Sequence, residues 1–253
     1  MMKKIIINAD DFGINEEVTS EIKAAITNGV ISSTTVMANG LCLKEVEKFS
    51  ADHPEVSYGI HLCLSEFDSL TKSESLYKAG LTDENGRFIR KAIFHIKNFK
   101  DADVRRSIKE ELNAQIDVVS SLGFKISHAD SHHHIHTIYP LKDIIADVLQ
   151  TRGIHKVRIE ESFQTWRSRR HIALWLQQLL VNRFYSTRFI TTNAFYSYND
   201  YLKYGIQYSE SIVELMCHPG HSALIYRKEM ESVYAKKALM NDEIQLISYN
   251  DIY

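Results

Sequence analysis

Lys4-Ile-Ile-Ile7, Asn8-Ala-Asp-Asp-Phe-Gly13, the stretch from Asn15 to Asn28, and Gly29-Val-Ile-Ser-Ser-Thr-Thr-Val-Met37 open the chain almost without a break. A short β-branched run comes first, with an acidic pair directly behind it. Val18, Ile22 and Ile26 then recur every four residues, Asn15 suits an N-cap, and Gly29 suits a helix stop. A second β-branched run covers Ser33–Met37. Strand, helix and strand in this order form a βαβ unit, whose two strands run parallel.

The same alternation continues to the end. Further strand candidates are Val56–Ile60, Lys125–His128, Lys156–Ile159, Arg188–Thr192, Ile212–Met216 and Ile244–Ile247. Val104, Ile108, Leu112, Ile116, Val119 and Leu122 keep one helical face apolar up to Gly123, and another helix starts near Pro140 with Ile144, Ile145 and Val148 inside. Strands spaced by helices in this way predict an α/β fold with a mostly parallel sheet, closed or nearly closed. The 253 residues are 44% hydrophobic and 25% charged, an ordinary globular composition, and α/β barrels reach this length as one unit. A single domain over 1–253 is therefore expected. Its least regular part, about 65–100, contains Asp83-Glu-Asn-Gly86 between Leu81 and Phe88. That reads as a hairpin-like flap with an Asn-Gly turn, and insertions of this length often cover sites.

Charge and cysteine usage exclude several partners. A formal net charge of -2 gives no general attraction to nucleic acid or to an anionic membrane, and no apolar run approaches the ~18 residues of a membrane span. Cys42, Cys63 and Cys217 are an odd, scattered set without a disulfide framework, which points to the cytoplasm. The basic residues Lys156, Arg158, Arg167, Arg169, Arg170, Arg183 and Arg188 read mainly as solvated helix faces. A subunit contact or an anion pocket is the alternative reading.

The chemistry collects around histidine. His128, His132, His133, His134 and His136 fall within nine residues, with Asp130 among them. Crowded imidazoles would repel one another when protonated, whereas neutral imidazole is a common metal ligand. The Asn8–Gly13 motif follows the first strand, His61 ends the third, and His218-Pro-Gly220 follows the seventh. Parallel strands would bring these motifs to the carboxyl ends of the sheet, where α/β barrels place their active sites. Taken singly, each has a plainer reading: Asp10-Asp11 as helix caps, His61 as a structural histidine. Together they suit a division of labour. One carboxylate can hold a metal while its neighbour takes a proton, one carboxylate with two imidazoles leaves open positions on a divalent ion, and a further histidine can protonate a leaving group.

Read in order, Asn8–Gly13, Gly29–Met37, Gly59-Ile-His-Leu62, His128-Ala-Asp-Ser-His-His-His-Ile-His136 and Glu214-Leu-Met-Cys-His-Pro-Gly220 run across nearly the whole chain. In these motifs the chain resembles the YdjC-like carbohydrate deacetylases, which include chitooligosaccharide deacetylase, and Ile244–Tyr249 resembles that family's end. The block from Asp130 to His136 is the most specific piece. The resemblance implies a distorted TIM-like (β/α) barrel, one divalent metal ion (Mg2+ or Zn2+ foremost), an acetylated amino-sugar substrate and a homodimer. It implies that Asp11, His61 and His132 hold the metal, that Asp10 is the base and that His218 is the general acid. This logic is similar to that of the NodB-type polysaccharide deacetylases. Many relatives carry Asn or Val where this chain has Cys63, and both Cys63 and Cys217 are read as buried bystanders. The expected activity is removal of an N-acetyl group from an amino sugar or chitooligosaccharide, phosphorylated or not. Two alternatives stay open. One is a non-catalytic sugar-binding protein that keeps the metal, which would have no use for a spare base and acid. The other is a two-His, one-carboxylate iron oxygenase built on His128, Asp130 and His218, with Arg227 holding an oxoacid. The strong helical periodicity argues against that second alternative.

Overall fold

The structure is a computed structural model and describes residues 3–90, 92–95, 99–160, 169–204, 212–237 and 244–253. Its strands are β1 (Lys3–Phe12), β2 (Ser33–Val36), β3 (Ser57–Leu62), β4 (Ala129–Ser131), β5 (Ala194–Ser197), β6 (Ile212–Cys217) and β7 (Ile244–Leu246). Every pairing between them is parallel, in the order β4-β3-β2-β1-β6-β5, with β7 beside the first residues of β1. Past β4 the sheet continues through single bridges, Ala129 to Val157 and Lys156 to Ile190. Ile190 lies just ahead of β5, so the sheet curls back on itself as a distorted TIM-like barrel. Helices α1 (Glu16–Thr27), α2 (Leu43–Asp52), α3 (Glu74–Lys78), α4 (Ala102–Ser120), α5 (Lys142–Thr151), α6 (Arg169–Ser186), α7 (Tyr198–Tyr204) and α8 (Leu224–Lys237) connect the strands. No helix among the described residues is long and apolar enough to cross a membrane.

The local signals act as their chemistry dictates. The Asn15 side chain accepts from the Val18 N–H at 2.9 Å and caps α1, whose Val18, Ile22 and Ile26 are buried against the sheet. Asp10 and Asp11 therefore do not cap this helix. Two strand candidates are thinner than expected. Lys156–Ile159 and Arg188–Thr192 contribute only bridge residues, although Val157, Arg158 and Ile190 still hydrogen-bond across the gap. Lys125–His128 bonds to β3 through Ser127 and His128, but the regular ladder begins at Ala129. Helix α2 had no clear signal, because its cap position is Cys42, which makes no capping hydrogen bond.

The stretch after β3 folds over α4. Glu111, fully buried on α4, accepts from the backbone N–H groups of Leu70 and Thr71 and from the Thr71 hydroxyl at 2.8–3.0 Å. Thr82 and Phe88 form an antiparallel bridge around the turn. The turn differs in detail from a two-residue Asn-Gly turn: the Gly86 N–H returns to the Asp83 carbonyl, and Gly86 takes the left-handed conformation at φ 81°.

Below the barrel, the chain end forms a plug. Ser248 and Asp251 cap the turn Tyr249–Asp251 reciprocally, and Ile6, Ile247, Tyr249 and Ile252 pack together. The buried Tyr249 ring stacks on His128 at 3.8 Å and 8°. Gly59 makes room for that stack, because a Cβ there would lie 2.6 Å from the His128 ring. Gly59→Ala should therefore cost about 1–3 kcal/mol, the range for overpacking, measured as a lower urea midpoint. In the Gly59→Ala/His128→Ala double variant the loss should be smaller than the sum of the two single losses.

Candidate active site

Consecutive side chains on a regular strand point to opposite faces, so Asp10 and Asp11 need an irregularity to share one site. The register of β1 on β2 supplies it. Ala9 pairs with Thr34 but Phe12 pairs with Val36, leaving an extra residue between them. Asp11 sits at φ 69° inside this bulge. Bulges re-aim side chains beside active sites, and Asp tolerates the left-handed region better than most residues. Both carboxylates end up buried.

Three imidazoles face Asp11. His61 Nε2 lies 3.1 Å and His132 Nδ1 2.9 Å from Asp11 Oδ1, and His221 Nε2 lies 3.0 Å from Asp11 Oδ2. On its other side His61 Nδ1 donates to Asp130 Oδ1 at 2.7 Å, and Thr35 donates to Asp130 Oδ2 at 3.1 Å. A neutral His61 that spends its proton on Asp130 turns a bare Nε2 lone pair toward a carboxylate oxygen. Two acceptors at 3.1 Å need a proton or a cation between them. With no ion beside it, burial disfavours a charged His61, but Asp130 and Asp11 raise its pKa well above the ordinary range. Burial likewise opposes ionisation of Asp11, and the imidazoles hold its pKa well below the carboxylate range. Donor atoms of Asp11, His61 and His132 all lie within 4.8 Å of one another, close enough to share an ion. The carboxylate behind His61 is the usual outer partner of a metal-bound imidazole. The donor set therefore fits a divalent cation.

Arg158 corrects the reading of the basic run. It is fully buried, not on a solvated face. Its guanidinium grips Asp10 with two nitrogens at 2.7 Å, reaches Asp130 Oδ2 at 2.7 Å and donates through Nε to Glu214 at 2.8 Å. Asn8 adds a 2.9 Å hydrogen bond to Asp10 Oδ1. Burial works against an ionised Asp10, but Arg158 overrides it and holds the pKa far below the carboxylate range. Glu214 in turn accepts from the Tyr249 hydroxyl at 2.5 Å. Burial lifts the Glu214 pKa to about 7, against the opposing pull of Arg158 and Tyr249.

His218 lies beyond β6, as its motif position requires. Its N–H donates to Glu229 Oε2 at 3.0 Å, Nδ1 lies 3.7 Å from the same oxygen, and the ring packs on Tyr226 at 4.6 Å. Burial lowers its pKa, but Glu229, Asp10 and Asp11 outweigh that and raise it. His221 and Glu229 were not singled out in the sequence, yet both lie within eleven residues of His218. Of the five clustered histidines, only His132 faces Asp11. His128 meets Asn8 Oδ1 at 3.1 Å and Ser127 Oγ at 2.7 Å, so both nitrogens are engaged. His133 bonds Ser65 at 2.9 Å and His136 bonds Ser131 at 2.5 Å, while His134 packs on Phe195. The His128, Asp130 and His218 set is therefore not assembled for iron. Burial pushes the Cys63 thiol up to about 12 and Cys217 well above its usual range, so both remain thiols. Cys63 donates to the Glu66 carbonyl at 3.2 Å.

A parallel barrel with carboxylates and imidazoles at the carboxyl ends of its strands is the architecture of an α/β enzyme. The sequence profile described as YdjC-like protein matches residues 4–245, and the chain belongs to that family. It is 29% identical over 269 residues to a carbohydrate deacetylase of Geobacillus stearothermophilus, covering 100% of this chain and 99% of the relative. It is also 29% identical over 222 residues to a chitooligosaccharide deacetylase of Yersinia pestis (strain Pestoides F), covering 87% and 83%. A crystal structure from Enterococcus faecalis V583 shares the fold, with a TM-score of 0.72 at 22% identity over 99% of this chain and 98% of the other.

Two outcomes test this network. Arg158→Met should cost about 3–5 kcal/mol in urea unfolding, because it strands buried carboxylates. The second concerns pH. In the folded chain Glu214 keeps its proton up to about 7, against about 4.3 for an ordinary glutamate. The stability it contributes is complete below the lower value and lost as pH rises through the upper one. In chelator-treated protein, stability should fall by at most about 4 kcal/mol across that window, and Glu214→Gln should flatten the slope.

Proposed function

We propose that this chain is a carbohydrate deacetylase that hydrolyses the N-acetyl group of an amino sugar or chitooligosaccharide. On this reading it binds one divalent ion, Mg2+ or Zn2+, through Asp11, His61 and His132. The observation that carries the reading is the convergence on Asp11 of imidazole nitrogens at 2.9–3.1 Å, next to a second carboxylate that Arg158 keeps ionised. When bound, the ion polarises the acetyl carbonyl and acidifies water beside it. Asp10 takes the proton of the attacking water, and Arg158 and Asn8 fix its orientation so that the acceptor stays ionised. Oxygen adds to the acetyl carbon and the carbon–nitrogen bond breaks. His218 then delivers a proton to the leaving nitrogen, with Glu229 holding the imidazole in its charged form. Acetate and a free amine result. The whole chain, 1–253, acts as the catalytic unit, with 65–100 as a flap beside the site. Three buried free thiols support a cytoplasmic setting, and the assembly is a homodimer.

Chelation should abolish acetate release while leaving the fold, and Asp11→Asn, His61→Ala and His132→Ala should each lose bound metal. Asp10→Asn should keep its metal while turnover falls by ~10²–10⁴. Thermal melting of the same sample checks for loss of the Arg158 pair. Near-normal turnover in folded, metal-loaded Asp10→Asn would remove Asp10 from the chemistry. Full metal in His61→Ala/His132→Ala would overturn the ligand set.

A further inference from the structure

At the amino-terminal ends of the strands, on the face of the barrel away from Asp11, lies a cavity of about 590 Å³. Its place follows from the strand directions. Tyr58 lines it from the start of β3, Phe124 and Lys125 from the segment leading into β4, and His155 and Lys156 from the segment leading to the bridge at Val157. His61 is three residues beyond Tyr58 on the same regular strand, about 10 Å further along at the rise of a strand. The cavity is therefore separate from the candidate active site, and its volume falls in the range of small-molecule sites.

Its lining combines positive charge with aromatic surface. Lys125, His155 and Lys156 all border it, and among the described residues no Asp or Glu does. None of the three makes an ion pair with a described residue. Burial lowers the Lys156 pKa, Asp251 pulls it up, and Lys125 lowers it again, so the two ammonium groups stand close enough to repel. Asp251 is already engaged: its Oδ2 accepts from the Ser248 N–H at 2.7 Å and from the Ser248 hydroxyl at 2.9 Å. Like charges that share a cavity without an acid are stabilised by an anion between them. Lys156 is held in advance, because its Nζ donates to the Tyr249 carbonyl at 2.6 Å, and an ammonium has further protons to give. Beside this charge, the half-buried Phe124 ring packs on the Tyr58 ring with centroids 4.9 Å apart. The Tyr58 hydroxyl is anchored on the His53 carbonyl at 3.1 Å, and Asn250 adds a carboxamide to the wall. Paired ammonium groups suit a phosphate, and an aromatic face suits a flat ring stacked on it. Walls fixed before binding lose little entropy when a ligand arrives.

We propose that this cavity is a second ligand site, for a phosphate-bearing small molecule with a flat ring, the class of the nucleoside monophosphates. Lys125 and Lys156 hold the phosphate and Phe124 takes the ring. The site stands independently of the deacetylase reading. The test is calorimetric titration of the full chain with AMP, UMP and inorganic phosphate. Both nucleotides should bind saturably and more tightly than phosphate. Lys125→Ala should weaken AMP binding by ~10-fold, and Lys125→Arg, which keeps the charge, should bind as wild type. Phe124→Leu should weaken AMP binding by ~5-fold and leave phosphate binding unchanged. Asp11→Asn, at the opposite end of the barrel, should leave AMP binding as it is. Melting temperatures of the variants check that each is folded. Failure of both nucleotides to bind saturably, or AMP binding indifferent to Lys125→Ala in a folded variant, overturns the site. Loss of AMP binding in Asp11→Asn overturns it as well, by placing the nucleotide at the metal ligands. Equal affinity for AMP and phosphate, with no effect of Phe124→Leu, overturns the nucleotide class.

Discussion

One guanidinium holds the centre of this molecule together. Arg158 lies fully buried among Asp10, Asp130 and Glu214, and these three side chains come from the neighbouring strands β1 and β6 and from β4, three strands away from β1. Buried carboxylates in such number are tolerable only with a cation fixed between them. Each contact also has a second consequence. Asp10 is ionised and oriented, Asp130 is placed to receive the His61 proton, and Glu214 is tied to the plug at the chain end. Arg158 cannot balance the charge alone, since Asp11 adds another carboxylate with imidazoles around it. With His61 neutral, an excess of negative charge remains that would suit a second, mobile cation.

The bulge in β1 is the backbone counterpart of that electrostatic arrangement. A regular strand would send Asp10 inward and Asp11 away from it. The extra residue and the positive φ at Asp11 place both on the same side, at a conformational cost of order 1–3 kcal/mol. His133 and His134 are also in the left-handed region, with φ of 54° and 52°. Backbone strain thus gathers at Asp11 and directly after His132, and the surrounding hydrogen bonds keep it from relaxing.

The sequence was legible where chemistry is local. Asn15 and Gly29 delimit α1 because capping and left-handed stops depend on one or two residues, and the strand ends carrying Asp11, His61 and His218 could be read because parallel strands share a direction. Arg158 was illegible in its role. Other basic residues of its run, Lys156, Arg183 and Arg188, are partly or fully exposed, and nothing local signals three carboxylates that lie 28 residues or more away in sequence. His221 and Glu229 were hidden for a related reason: a histidine after a Pro-Gly turn and a glutamate on a polar helix look ordinary until the fold turns them inward. The five-histidine cluster misled in the opposite sense. Its density pointed to the region where Asp11, His61 and His132 lie close enough to share an ion, but only His132 among the five faces Asp11, and hydrogen bonding and packing occupy the others.

The plug has a consequence for how the chain acquires its structure. β1 is made early, yet its partners β6 and β7 and the stacking ring of Tyr249 all come from residues 212–253. The strand at the middle of the sheet must wait, one long edge unpaired, until these residues have been made. Contacts of such sequence separation slow folding and leave apolar strands open to wrong partners in the meantime. A chain made only as far as Ser248 would already contain Asp10, Asp11, His61, His132 and His218 and would still lack the ring that stacks on His128 and donates to Glu214.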